Sequence, residues 1–378
     1  MRTAEQEQFA ASLHEALAAA DVPGAARRWA AGDRAPGQAL WRKLAGLGVT
    51  ALAVPQRWGG LGASLADVAV ACEELGHHAL PGPVPESVAA VPVLLATLAQ
   101  SGAAAQPPPA ESLAAPSLAA QWLPGLAAGD QIVTLALPPQ LPYAADADAA
   151  GLILLADGDV LRLATATARH RSVDPARSLS QVCGGQVLAR GPLAAEAATR
   201  AREAGTLACA AQLLGAGRAL LEASVRQAIQ RSQFGQPIGS FQAVKHHLAD
   251  VAIGLEFARP LLDAAAAALD HLAAPDPAPE DPDDPDDPAP GDPARGDTAP
   301  GDRAHAARDL SAAKIACTDA AYRAARAALQ VHGAIGYTRE HDLHLWLMKV
   351  RALAGAWGSQ AEHRARVMAG LAGPVPWT

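Results

Sequence analysis

Apolar residues recur along this chain at two different periods, and the change of period divides it into three parts. Over residues 3–20, Phe9, Leu13 and Leu17 share one helical face; over 36–47, Leu40, Leu44 and Leu47 repeat the spacing until Gly48 interrupts it. Ser64 then opens a further helix as a capping-box partner of Asp67, and Gly76 closes it after Cys72 and Leu75. Val91, Val93, Leu94 and Leu98 mark one more helix between proline-rich loops at 81–85 and 107–116. From residue 131 the period falls to that of strands: 132–137 reads as one, 152–155 and 160–163 as a hairpin turning at Asp157-Gly158, and 181–189 as another.

The helical period returns near residue 200. Leu214, Leu221, Val225 and Ile229 are in phase over 200–230, and Phe241, Val244, Leu248, Val251 and Leu255 over 241–272. Ile315, Tyr322, Ala325 and Leu329 continue the pattern, and a final helix from about residue 342 aligns Leu343, Leu347, Val350, Ala354 and Trp357. The expected architecture is mainly α with a small β domain: an N-terminal helical domain (1–128), a short middle β-barrel-like domain (129–198) and a C-terminal four-helix bundle (199–378). Residues 274–303 are rich in proline and aspartate without apolar periodicity and are expected to form a disordered acidic insertion.

Charge sharpens this division. The chain carries a formal −8, but ten acids and one base lie between Asp276 and Asp302, so the rest sums to about +1 and offers no basic stripe for nucleic acid. No run approaches the roughly eighteen apolar residues of a membrane span, and the first residues lack a signal-like apolar core; a cytoplasmic protein is expected. The four cysteines, Cys72, Cys183, Cys209 and Cys317, show no paired spacing, and the His246-His247 pair and His341 with His344 lack companion ligands, so no metal site is expected.

Two polar segments carry the candidate chemistry. Arg231-Ser232-Gln233-Phe234-Gly235-Gln236-Pro237 is an elbow between helices that presents a guanidinium, suited to a phosphate, beside an aromatic ring. The second is Gln330-Val331-His332-Gly333-Ala334-Ile335-Gly336-Tyr337. Together they resemble the paired signatures of the acyl-CoA dehydrogenase family, flavoproteins that desaturate acyl thioesters between the α and β carbons. Residues 48–76 are similar to the family's N-terminal domain, where a Pro-x-x-x-Gly-Gly-x-Gly loop, here Pro55 to Gly62, precedes a helix ending in Glu-Glu-Leu-Gly. Val173-Asp174-Pro175-Ala176-Arg177 resembles a segment late in the family's middle domain.

The resemblance implies an FAD shared between two subunits. One subunit reaches across with residues matching Arg231, Phe234, Phe241, Gln242, Gln330, His332, Gly333 and Ala334 here, the last replacing a usual glycine. The other supplies middle-domain loops and a catalytic carboxylate, and this second set looks lost. Pro138-Pro139-Gln140-Leu141-Pro142 stands where the family has a flavin-holding Thr-Glu-Pro-Gly-x-Gly-Ser loop, and two prolines cannot donate amides. The family's base position is Trp357, whose indole only donates, and the alternative position on the earlier helix is Gly205. Glu203 lies two residues from the latter, a turn of about 200° on a helix, and is expected to face away. Thr206 replaces the arginine that grips the thioester cofactor in relatives.

The resemblance therefore implies a chain that completes the flavin site of a catalytic acyl-CoA dehydrogenase subunit, in an α2β2 heterotetramer. Acyl-CoA would sit mainly on the partner, and electrons would pass to an electron-transfer flavoprotein or another acceptor; heteromeric members of this kind are associated with steroid and other bulky acyl chains. The alternatives are a self-contained flavin dehydrogenase or oxidase with a relocated base, and a flavin-free scaffold.

Overall fold

The computed structural model describes residues 2–100, 115–273, 300–338 and 340–371. The N-terminal part is helical: α1 (Ala4–Ala18), α2 (Val22–Ala30), α3 (Ala35–Gly46), α4 (Leu65–His77), a π-helical turn (Pro85–Ala90) running into α5 (Val91–Gln100), and α6 (Ala115–Ala127). Thr3 and Ser64 each close a capping box, on Gln6 and Asp67, which satisfies orphan amides at the starts of α1 and α4.

Two of these helices are absent from the periodicity reading. α2 is only nine residues long, opened by Asp21 accepting from the Gly24 amide, and it buries Trp29 completely. The Trp29 Nε1–H donates to Asp146 Oδ1 at 3.2 Å, which fastens this domain to the sheet. α6 holds Pro124 within it and sits against α5.

The middle sheet has five strands: β1 (Val133–Ala136), β2 (Ala144–Ala145), β3 (Leu152–Asp157), β4 (Val160–Arg171) and β5 (Ser178–Arg190). The order is β1-β3-β4-β5-β2, with β1 parallel to β3 and the other pairs antiparallel. The edge strands β1 and β2 approach each other without pairing, so the sheet is curled but not closed. The middle of the β4–β5 hairpin is exposed, while its turn end pairs with β2 and buries Ser178 and Ser180.

The C-terminal part is built on α7 (Pro192–Gln230), which begins about eight residues earlier than its apolar phase indicates because Ala194, Ala197 and Ala201 pack without bulky side chains. By length and hydropathy α7 could cross a membrane, but 83% of its most apolar window is buried inside the protein, as befits a core helix. Against it lie α4, α8 (Gln242–Ala273) and α9 (Pro300–His332). α9 includes residues 300–303, which shortens the expected insertion at that end; residues 274–299 lie outside the described residues.

α10 (Leu343–Ala354) stops before Trp357, which adopts a left-handed φ of 59° in the turn before α11 (Gln360–Leu371). The expectation that Trp357 lies on the last helix is thus corrected, and α11, mostly polar, gave no periodic signal. Glu73 of α4, with no exposed surface, joins four segments by accepting from Arg218 on α7, Arg259 on α8 and Arg2 before α1.

Candidate functional site

At the C-terminal end of α7 the chain leaves helical geometry at Arg231 and makes a two-residue hairpin, β6 (Ser232–Gln233) against β7 (Gln236–Pro237). Phe234 and Gly235 at its tip both have positive φ, 54° and 80°, as a type I′ turn requires. The Phe234 ring is 92% exposed and meets Phe241 edge-to-face, with centroids 6.2 Å apart. Gln242 is exposed in the first turn of α8.

The second segment joins the first through one bond. Arg231 Nη1 donates to the His332 carbonyl at 2.8 Å, and Gly333, at φ 63°, passes so close that a Cβ there would lie 3.2 Å from the same nitrogen. Gln330 and Ala334 are exposed, whereas His332 is buried with its Nδ1 on the Ala328 carbonyl. The fold therefore brings Arg231 to the Gly333 turn, spends one guanidinium N–H on holding it, and leaves the remaining donors facing outward. Such a fork suits a phosphate approaching from outside the chain.

The two base positions form a separate place. Trp357 is 2% exposed, and its six-membered ring lies directly on Gly205 of α7: a Cβ at 205 would come within 2.2 Å of both Cη2 and Cζ3. Indole thus occupies the volume in front of both positions. Gly205 and Arg231 are separated by 26 residues of α7, or about 39 Å at 1.5 Å per residue, so they serve different sites.

Beside Trp357 lies an acid that spacing did not single out. Glu86, in the π-helical turn, is 1% exposed, and neither its Oε1 nor the Trp357 Nε1 has a hydrogen-bond partner among the described residues. Burial pushes the Glu86 carboxyl up, with Arg177 opposing. Its one sequence signal is an acid in the short segment between Val84 and Val88.

Glu203 lines a different cleft of about 320 Å³, with Arg200, Asp270 and Arg303, and burial raises its carboxyl. The Thr206 hydroxyl is turned back onto the Arg202 carbonyl at 2.7 Å. Asp342 pairs with Arg27.

The segment at 138–142 folds into a tight turn. Leu137 and Leu141 exchange both backbone bonds, at 2.7 and 2.9 Å, and Pro138, Pro139 and Pro142 have no N–H. Within this turn only Gln140 keeps a backbone N–H with no backbone acceptor among the described residues.

Models of the acyl-CoA dehydrogenase N-terminal domain and C-terminal domain match residues 3–130 and residues 195–280 with 297–372. The acyl-CoA dehydrogenase IpdE2 of Mycobacterium tuberculosis is 31% identical over 335 residues, covering 88% of this chain and 86% of its own. This chain belongs to the acyl-CoA dehydrogenase family. Its members are oxidoreductases acting on CH–CH groups, typically with bound FAD.

Among solved structures, the ChsE4-ChsE5 complex of Mycobacterium tuberculosis matches with a TM-score of 0.74 at 21% identity, covering 100% of this chain and 99% of that one. A Tcur3481-Tcur3483 steroid ACAD variant matches at 0.72 and 20% identity, covering 97% and 98%. These establish the three-part fold: N-terminal helices, middle β domain and C-terminal helices. For FAD, the residues divide. The outward Arg231 and Gly333 arm fits a pyrophosphate, while the closed 137–141 turn and the indole against Gly205 do not fit the flavin ring end.

Proposed function

We propose that this acyl-CoA dehydrogenase family chain is a non-catalytic-type subunit of a heteromeric FAD-dependent acyl-CoA dehydrogenase. The observation that carries this reading is the Trp357 indole pressed onto Gly205, which fills the place of a base, while Arg231 and Phe234 stay exposed about 39 Å along the same helix. The arm would complete the flavin site of a catalytic acyl-CoA dehydrogenase subunit in an α2β2 heterotetramer.

Arg231 would clamp the FAD pyrophosphate with its free N–H groups, Gly333 would allow close backbone approach, and Phe234 with Phe241 would supply apolar cover. FAD held by these residues would supply hydride-accepting chemistry to the partner's site, where the partner's carboxylate would take the α-proton, and an electron-transfer flavoprotein or other acceptor would collect the electrons. A steroid-like acyl thioester is the substrate class supported by the relatives' names.

Turnover of acyl-CoA with an artificial electron acceptor tests this reading. Activity that requires a co-expressed catalytic subunit supports it; turnover by this chain alone overturns it. The buried Glu86 carboxyl beside Trp357, whose Oε1 has no partner among the described residues, favours a second reading, a self-contained enzyme with a relocated base. That reading requires Glu86→Gln to abolish turnover by the isolated chain.

A further inference from the structure

Away from both places, α1 and the end of α4 bring three imidazoles and a carboxylate to one point. His14 lies on α1, Glu74 and His77 on α4, and His78 caps it; one ligating atom from each lies within 4.8 Å of all the others. His14 Nδ1 is 3.1 Å from Glu74 Oε2 and 3.3 Å from His78 Nε2. In a tetrahedron with bonds of about 2.0–2.1 Å to zinc, ligand atoms stand about 3.3 Å apart, so these two pairs already have the spacing of a coordination sphere.

The surroundings match those of metal ligands. His77 is 7% exposed; its Nε2 lies 3.0 Å from Glu222 Oε2, and its Nδ1 is buried with no hydrogen-bond partner among the described residues. An Nε2–H donated to Glu222 leaves Nδ1 as a lone pair, the carboxylate–histidine arrangement that orients metal-bound imidazoles. Arg218 holds Glu74 Oε1 at 2.8 Å, leaving Oε2 to the cluster. A cleft of about 400 Å³ that includes His14, His77, His78 and Glu222 gives an ion its way in.

We propose that His14, Glu74, His77 and His78 form a zinc site that clips α1 onto the end of α4. Three nitrogens and one oxygen are a borderline-soft set suited to Zn²⁺, and four protein ligands leave no open position, so the role is structural rather than catalytic. His14 stands sixty positions before Glu74, His77 and His78 follow within four residues of that acid, and no zinc-finger spacing announces them.

The test uses the untagged full chain, stripped with a chelator and titrated with CoCl2, then ZnCl2. The expected result is a saturable tetrahedral Co²⁺ visible spectrum displaced by zinc, with a zinc-dependent rise in melting temperature. His14→Gln, at a half-buried position, and His78→Ala should each weaken binding by about tenfold or more, with helical circular dichroism retained, while His246→Ala leaves it unchanged. No visible spectrum at excess metal, or a spectrum that survives in His14→Gln, overturns the proposal. The His14 variant decides the matter should His78→Ala fail to fold.

Discussion

The contact between Trp357 and Gly205 makes a quantitative prediction, because an added Cβ has nowhere to go. Gly205 is inside α7, where replacing glycine by alanine gains about 1 kcal/mol of helical stability in open surroundings. Here the new methyl would meet two ring carbons at 2.2 Å, and the ring is boxed in at 2% exposure, so overpacking should cost about 1–3 kcal/mol. Gly205→Ala is therefore expected to destabilise the chain by about 0–2 kcal/mol net.

Removing the ring reverses the sign. Trp357→Ala should itself cost about 3–5 kcal/mol, but in that background Gly205→Ala should stabilise by about 1 kcal/mol. The coupling between the two substitutions is then about 1–3 kcal/mol, well above the scatter of non-interacting pairs. Urea denaturation of the four proteins measures it directly. Additive effects, or a stabilising Gly205→Ala in the wild-type background, would refute the filled pocket.

Other perturbations read other parts of the account. Arg231→Ala should change stability by less than about 1 kcal/mol, since the side chain is exposed and loses one bond to the His332 carbonyl, yet should lower flavin retention in the complex; unchanged flavin removes its role. The two buried acids should respond to pH with opposite signs. Burial raises Glu86, so its favourable contribution is complete below the ordinary carboxylate pKa of 4.5 and is lost as pH rises; Glu86→Gln should gain stability relative to wild type with increasing pH. Burial also raises Glu73, but Arg259, Arg2 and Arg218 outweigh it and hold it low, so its contribution is present above 4.5 and is lost as pH falls further. Glu73→Gln should cost about 3–5 kcal/mol at neutral pH, with the deficit shrinking in acid; parallel chemical-denaturation series in pH check both.

Elements with a strong apolar period were legible, among them α1, α3, α8 and the β3–β4 hairpin, because one buried face dictates the spacing, while α4, buried all round, was legible from its capping box. What escaped lacked that signal. α2 is two turns long and buries its surface through Trp29 and alanines, and α11 is mostly polar with only His363 fully buried. Trp357 shared the phase of α10 by coincidence; its left-handed turn is stabilised by packing on Gly205, a contact across more than 150 residues.

The site was legible to the same degree. Motifs placed Arg231, Gly333 and the substituted base positions, since local turns and single residue types define them. Their meeting across the bundle required the fold, as did Glu86 beside the indole. The histidine cluster shows the limit most plainly: the sequence reading weighed His246-His247 and His341 with His344 and passed over His77 and His78, and His14 comes from another helix with no spacing rule to link it.

The central claim is that this chain offers the outer arm of a flavin site and not its inner half. The measurement that tests it most directly is the visible spectrum and native mass of the purified chain, alone and co-expressed with a catalytic acyl-CoA dehydrogenase subunit. The account predicts no flavin in the chain alone and a single flavin for each pair of unlike chains in the complex. Stoichiometric flavin in the isolated chain would contradict it.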